Sequence, residues 1–148
     1  CIVIWKANRA KSRIAKKLLK ASEGTTLDEA VLELTKGIAA QETPAEKLRF
    51  LMSDKSRFLL PMATAILSVL YPEDFTIYDY RVCEVLGNFE KLSNITKFDK
   101  VWQGYMDFKR AVESQSPEGL SLRDKDRYLW GMSFARQLRS DVASGFLK

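Results

Sequence analysis

The sequence contains no histidine and only two cysteines, Cys1 and Cys83. The absence of histidine excludes a Ser-His-Asp or Cys-His nucleophilic site. It also argues against a zinc centre, since imidazole is one of the usual ligands of that metal. Two cysteines cannot form the disulfide network that holds small secreted domains together. We therefore predict a protein without a metal and without a cofactor.

Long apolar runs are also missing. The longest, residues 58–70, has 13 residues and contains Pro61, whereas a membrane-spanning helix needs about 20 apolar residues. The N-terminus carries no signal-peptide pattern, so the sequence predicts a cytoplasmic protein without a membrane partner. The chain begins at Cys1 in what reads as the middle of a helix, and we expect an excised fragment or an incomplete start.

Positive charge is concentrated at the beginning of the chain. Seven of the 24 basic residues lie in the first twenty positions, which contain no acidic residue. Residues 21–148 contain the other 17 basic residues and all 19 acidic residues. On a helix that turns about 100° per residue, six of the seven share one face: Lys6, Arg9, Arg13, Lys16, Lys17 and Lys20. Three interpretations stay open, namely a solvated face, a ridge that contacts phosphates, and a helix on a membrane surface.

Apolar residues recur at helical spacing throughout, and no segment shows the alternation typical of a strand. We predict helices over residues 2–21, 27–40, 44–52, 58–70 and 80–86, one that starts within 96–99 and ends near 114, and a last one after 121. Residues 73–78 are predicted to be extended. With 148 residues, 46% of them hydrophobic, the fold class is an all-α single compact domain of about seven helices, residues 1–148.

Four of these helices begin with a capping signal. Thr26 is followed by Glu29, and Thr43 by Pro44 and Glu46, which is the capping-box pattern. Asp79 and Ser121 are placed to cap the two helices that follow them. The predicted inward residues of the last helix are Tyr128, Leu129, Met132 and Leu138.

The centre of the chain carries the most specific pattern. Residues 61–67 (PMATAIL) are rich in small side chains, a bend follows at residues 71–72, and residues 77–82 (IYDYRV) bring an aspartate to the start of a short helix. This resembles the core of the helix-hairpin-helix DNA glycosylase superfamily. It is most similar to an uncharacterised bacterial branch that resembles 8-oxoguanine glycosylases, which shares an early Trp5-Lys6 segment and the late segment at residues 122–130.

The resemblance implies a catalytic role for Asp79. In the superfamily this aspartate stabilises an oxocarbenium-like sugar as the base leaves, and it orients the attacking water. A negative charge is favoured near a helix N-terminus and opposes a developing cation. The alternative is that Asp79 only caps its helix, a role worth about 1 kcal/mol; one carboxylate can do both.

This sequence departs from the superfamily pattern at two places, the hairpin glycines and the Schiff-base lysine, and each departure changes what we expect of the site. The hairpin normally carries glycines whose N–H groups approach a DNA phosphate, but none lies between Gly37 and Gly87. The hairpin is therefore degenerate, and phosphate contact would pass to Lys55 and Arg57. The lysine that forms a Schiff base in some members falls at Leu60, so we expect a monofunctional glycosylase that uses water rather than a lyase.

Three neighbours of Asp79 are candidates for a base pocket. Tyr78 and Tyr80 could stack on a flipped base, and the alternative is that at least one of them packs in the core. Arg81 could contact phosphate, or it could form a structural ion pair with Asp126.

Three hypotheses for function follow. The first is a domain that binds double-stranded DNA and acts in base excision repair through Asp79. The second is a non-catalytic DNA-binding module of the same fold, and the third is a helical protein–protein interaction domain. In the first two, the predicted phosphate contacts are Lys6, Arg9, Arg13, Lys16, Lys55 and Arg57.

Overall fold

The computed structural model describes Ile2, Lys6, residues 8–53 and residues 58–146. Seven α-helices lie in these ranges: α1 (Lys11–Ala21), α2 (Leu27–Ala39), α3 (Pro44–Met52), α4 (Leu60–Leu70), α5 (Tyr80–Leu86), α6 (Phe98–Ser114) and α7 (Leu122–Ala143). Short 3₁₀ turns lie at Asn8–Ala10 and Leu92–Asn94. No strand occurs in the described ranges, and the all-α prediction is confirmed.

The contacts between residues divide the chain into two compact units, Cys1–Leu70 and Tyr71–Lys148. The first contains α1 to α4, and the second contains α5 to α7. The assignment of residues 1–148 to one domain stays a prediction.

Reciprocal capping boxes begin α2 and α3, as predicted. The hydroxyl of Thr26 accepts the N–H of Glu29 at 3.2 Å, and the Glu29 carboxylate accepts the N–H of Thr26 at 3.0 Å. Thr43 and Glu46 repeat this arrangement at 3.2 and 2.9 Å. In both boxes the donated hydrogen bonds hold the pKa of the glutamate below its ordinary value. Local sequence alone therefore determines where these helices start.

Loss of the second capping box is expected to destabilise the protein measurably. Thr43→Ala removes the acceptor for the Glu46 N–H, and we expect it to lower the free energy of unfolding by about 1 kcal/mol. Thr96→Ala is the matched control, because Lys97 rather than Thr96 is the N-cap of α6. Urea denaturation of both variants checks the prediction, and an equal loss in the two would contradict it.

The first helix departs from the prediction of one helix over residues 2–21. Ile2 and Lys6 are helical, but the 3₁₀ turn at Asn8–Ala10 comes before the start of α1. Ala10, which precedes α1, has no side chain that can cap it, and tighter 3₁₀ turns are frequent at helix ends. Residues 1, 3–5 and 7, which include Trp5 of the resembling segment, lie outside the described residues.

The most apolar predicted segment forms α4, in which eight of eleven residues are buried. Its two hydroxyls bond within the helix: Thr64 donates to the carbonyl of Leu60 at 2.8 Å, and Ser68 donates to that of Ala65 at 3.0 Å. A buried helix can therefore carry polar side chains without leaving them unpaired. The connector before α4 includes residues 54–57, so the predicted degenerate hairpin lies outside the described residues.

Tyr105, on α6, is the centre of the second unit. It is fully buried, and its hydroxyl accepts the N–H of Thr76 at 3.0 Å while it donates to the carbonyl of Thr76 at 2.8 Å. Burial raises the pKa of Tyr105 well above its ordinary value. These two bonds fasten residues 75–79, which have no regular secondary structure, immediately before Asp79 and α5.

The orientation of α7 differs from the prediction. Leu129 is buried and Met132 is half-buried, but Tyr128 and Leu138 are exposed. The buried face of α7 is instead made by Asp126, Leu129 and Ser133. The prediction for Tyr128 and Leu138 was wrong because apolar residues lie all around this helix, and their spacing therefore selects no single inner face.

Candidate nucleic-acid interface

A row of exposed cations runs along α1. Arg13, Lys16, Lys17 and Lys20 are all exposed, and together with Ser12 they line an open depression of about 390 Å³. We call these four cations the basic ridge. Within the described residues none of them forms an ion pair. The basic ridge is therefore a concentration of positive charge that no contacting carboxylate offsets.

The other predicted phosphate contacts are placed less completely. Arg9 lies in the 3₁₀ turn before α1 and is exposed, which continues the positive charge of the basic ridge toward the N-terminus. Lys6 is half-buried and borders a second depression, which it shares with Arg13 and Lys17. Lys55 and Arg57 lie outside the described residues.

Asp79 caps α5. Its backbone is extended, with φ −132° and ψ 141°, and its carboxylate accepts the N–H of Arg81 at 3.0 Å. Gly87 ends the helix in the left-handed conformation, with φ 82°, as the sequence predicts. Asp79 is half-buried.

The two tyrosines beside Asp79 have opposite environments. Tyr78 is buried: its hydroxyl donates to the carbonyl of Phe89 at 2.5 Å, and its ring packs edge-on against Phe108. Burial raises the pKa of Tyr78 to about 12. Tyr80 is 67% exposed. Tyr78 is thus the tyrosine that packs in the core, and Tyr80 is the one whose ring is available to a ligand.

Arg81 does not pair with Asp126, contrary to the structural alternative raised from the sequence. Asp126 instead pairs with Arg123 of its own helix, at 3.3 Å. The Arg81 guanidinium lies among three aromatic rings, and its carbon is 5.3 to 5.7 Å from their centroids: Tyr80, Trp130 and Phe134. Such distances are those of cation–π contacts.

The charge of Arg81 is held without a contacting acid. Its guanidinium donates to the hydroxyl of Ser133 at 3.5 Å, and that hydroxyl in turn donates to Glu84 at 2.7 Å. Within the described residues Arg81 forms no ion pair. Rings and a hydroxyl therefore hold this cation in position.

Sequence reasoning missed the residues around Arg81. Trp130 and Phe134 are one turn apart on α7, and their rings stack at 5.5 Å and 10°. The i, i+4 spacing indicates that these two rings are neighbours. No local signal indicates that α5 would pack against this part of α7, and so none identifies Ser133 as the partner of Arg81.

The described residues contain no cluster of potential metal ligands. Cys83 is fully buried, and burial raises the pKa of its thiol to about 11. Among the described helices none combines the length and apolar character that crossing a membrane requires.

Searches of the chain against protein-family models, curated proteins and solved structures find no match.

Proposed function

We propose that this chain is a DNA-binding domain that acts on an altered base, with the backbone phosphates held by the basic ridge. The observation that carries the proposal is the basic ridge itself: Arg13, Lys16, Lys17 and Lys20 are exposed, lie on one helix face and have no acidic partner among the described residues. Unpaired cations in a row match the regular negative charge of a nucleic-acid backbone.

The second unit supplies the groups that would act on a nucleotide. The half-buried Asp79 carboxylate is followed directly by the exposed ring of Tyr80 and by Arg81. A carboxylate can stabilise positive charge on a sugar, an exposed ring can stack on an unpaired base, and a fixed guanidinium can bind a phosphate. These three chemistries are the ones that base removal needs.

The proposed reaction is hydrolytic. Leu60, which occupies the position of the Schiff-base lysine in the resembling superfamily, is buried and has no amine. Water would then be the nucleophile: its oxygen forms a bond to the anomeric carbon as the glycosidic bond breaks, the departing base takes the electron pair of that bond, and the proton that the water loses ends on the departing base. Asp79 would oppose the positive charge on the sugar and orient the water.

A second candidate function is a DNA-binding module without catalysis. The observation in its favour is that Asp79 already has a structural role, because its carboxylate accepts the N–H of Arg81. In this second function the basic ridge still binds DNA, and Asp79 has no catalytic role.

The salt dependence of duplex binding tests both functions. We expect the wild-type affinity for a labelled DNA duplex, measured by fluorescence anisotropy, to fall linearly with salt on logarithmic axes between about 50 and 300 mM. The double variant Lys16→Gln/Lys20→Gln is expected to bind more weakly at low salt. Its slope should be smaller in magnitude by about 2, since each lost phosphate contact contributes about 0.9.

The matched control is Lys36→Gln/Lys100→Gln, which removes two exposed charges from α2 and α6. It should leave the slope within about 0.5 of the wild-type value. A wild type that shows no binding even at the lowest salt would rule out both the catalytic and the non-catalytic function. Equal effects of the two double variants would mean that net charge, and not the basic ridge, governs binding.

A further inference from the structure

Apart from the contact of Phe134 with Arg81, the second half of α7 is left largely uncovered by the residues that the structure describes. No residue from 134 to 146 is buried, although this stretch includes large apolar side chains. One apolar row follows the helix at a spacing of four residues, and its members are 43 to 60% exposed: Trp130, Phe134, Leu138 and Val142. We call these four residues the α7 row. Rows at this spacing are the ridges by which two helices pack together.

Gly131 lies on the same side of α7 as the row. Glycine inside a helix is less stable than alanine by about 1 kcal/mol, so its presence there calls for a compensating close approach. The described residues supply none, because a Cβ atom added at Gly131 would have no described atom within 4 Å. The position is thus open for the backbone or side chain of another helix.

Two opposite charges lie on the same side of α7 as the row. If two copies of α7 packed antiparallel, the positive residue of each copy would meet the negative residue of the other. By helical angle, Arg127 and Asp141 lie on the same side as the row, seven residues before and after Phe134. Asp141 forms no ion pair within the described part of the chain, and Arg127 bonds only to the exposed Asp124 of its own helix, at 3.1 Å. Exposed pairs of that kind contribute little stability and exchange partners readily.

We propose that the α7 row binds the α7 row of a second copy of this chain, antiparallel and centred near Phe134. This arrangement is isologous, so each surface is its own complement. It sets Trp130 of one copy near Leu138 of the other. It also brings Arg127 of each copy to Asp141 of the other, twice per dimer, and it gives Gly131 a neighbouring helix, which the described residues of its own chain do not provide.

Charge exchange tests the proposed orientation. Sedimentation of the full chain from about 1 to 200 µM is expected to reveal a monomer–dimer equilibrium with a Kd in that range. Arg127→Asp and Asp141→Arg each place two like-charge pairs in the interface, and each should raise the Kd at least about tenfold. The double variant Arg127→Asp/Asp141→Arg restores opposite charges and should return the Kd to within about threefold of wild type.

An apolar variant tests the row independently of these charges. Leu138→Glu, at a site 46% exposed, should abolish the dimer without unfolding the chain, whereas Leu32→Glu on α2, at a site 54% exposed, should leave the dimer intact. A wild type that stays monomeric throughout the concentration range overturns the proposal, as does a dimer that loses affinity equally in the two variants. A double charge variant as weak as either single one overturns the antiparallel arrangement.

Discussion

Asp79→Asn is expected to lower base release at least about 100-fold while leaving the free energy of unfolding within about 0.5 kcal/mol of wild type. The two effects separate because asparagine caps a helix about as well as aspartate but carries no charge. The amide oxygen can still accept the N–H of Arg81, so α5 keeps its start. What is lost is the negative charge beside the sugar.

The measurement is single-turnover release of the base from duplexes that carry a panel of altered bases. Asp28→Asn, which removes an exposed aspartate from the first turn of α2, should leave the rate unchanged. If the asparagine variant at position 79 released bases as fast as wild type, Asp79 would be a cap alone. A wild type that binds duplex but releases no base from the panel would favour the non-catalytic module.

Tyr105→Phe is expected to lower the free energy of unfolding by about 3 kcal/mol, a change of roughly 100-fold or more in the unfolding equilibrium. The substitution removes one hydroxyl, but that hydroxyl satisfies both the N–H and the carbonyl of buried Thr76. Each unsatisfied buried group costs about 1 to 3 kcal/mol. Urea denaturation followed by circular dichroism measures the loss.

Two companion variants separate this explanation from a general effect of removing a hydroxyl. Tyr128→Phe removes an exposed hydroxyl and should change stability by less than about 0.5 kcal/mol. Thr76→Val should not destabilise the protein, because the buried Thr76 hydroxyl has no hydrogen-bond partner within the described residues. A loss below about 1 kcal/mol in Tyr105→Phe would mean that other donors or water replace the tyrosine hydroxyl.

Helix starts could be predicted from the sequence because their causes are local. The caps at Thr26, Thr43, Asp79 and Ser121 each accept an N–H two or three residues further on. A helix cap involves residues at most three positions apart, so a short stretch of sequence is enough to predict it. The all-α class and most helix bounds follow from such signals and from apolar spacing.

The contacts of Arg81 could not be predicted in this way. Asp126 looks like a natural partner for an arginine by charge alone, and it is instead bound to Arg123 three residues earlier. Whether Arg81 meets a carboxylate or a pair of rings depends on how α7 is turned against α5. That rotation is set by the packing of Leu129 and Ser133 over the whole interface, which no local pattern encodes.

The place of Trp130 beside Arg81 has a spectroscopic consequence. The indole is 43% exposed, lies parallel to the ring of Phe134 and has the guanidinium 5.6 Å from its ring centroid. Its emission therefore depends on how much water reaches this one ring. Burial by a second copy would shift that emission to shorter wavelength as protein concentration rises, without added label and before any nucleic acid is present. Trp130, one of three tryptophans in the chain, thus contributes an emission change that reports whether the middle of α7 is covered.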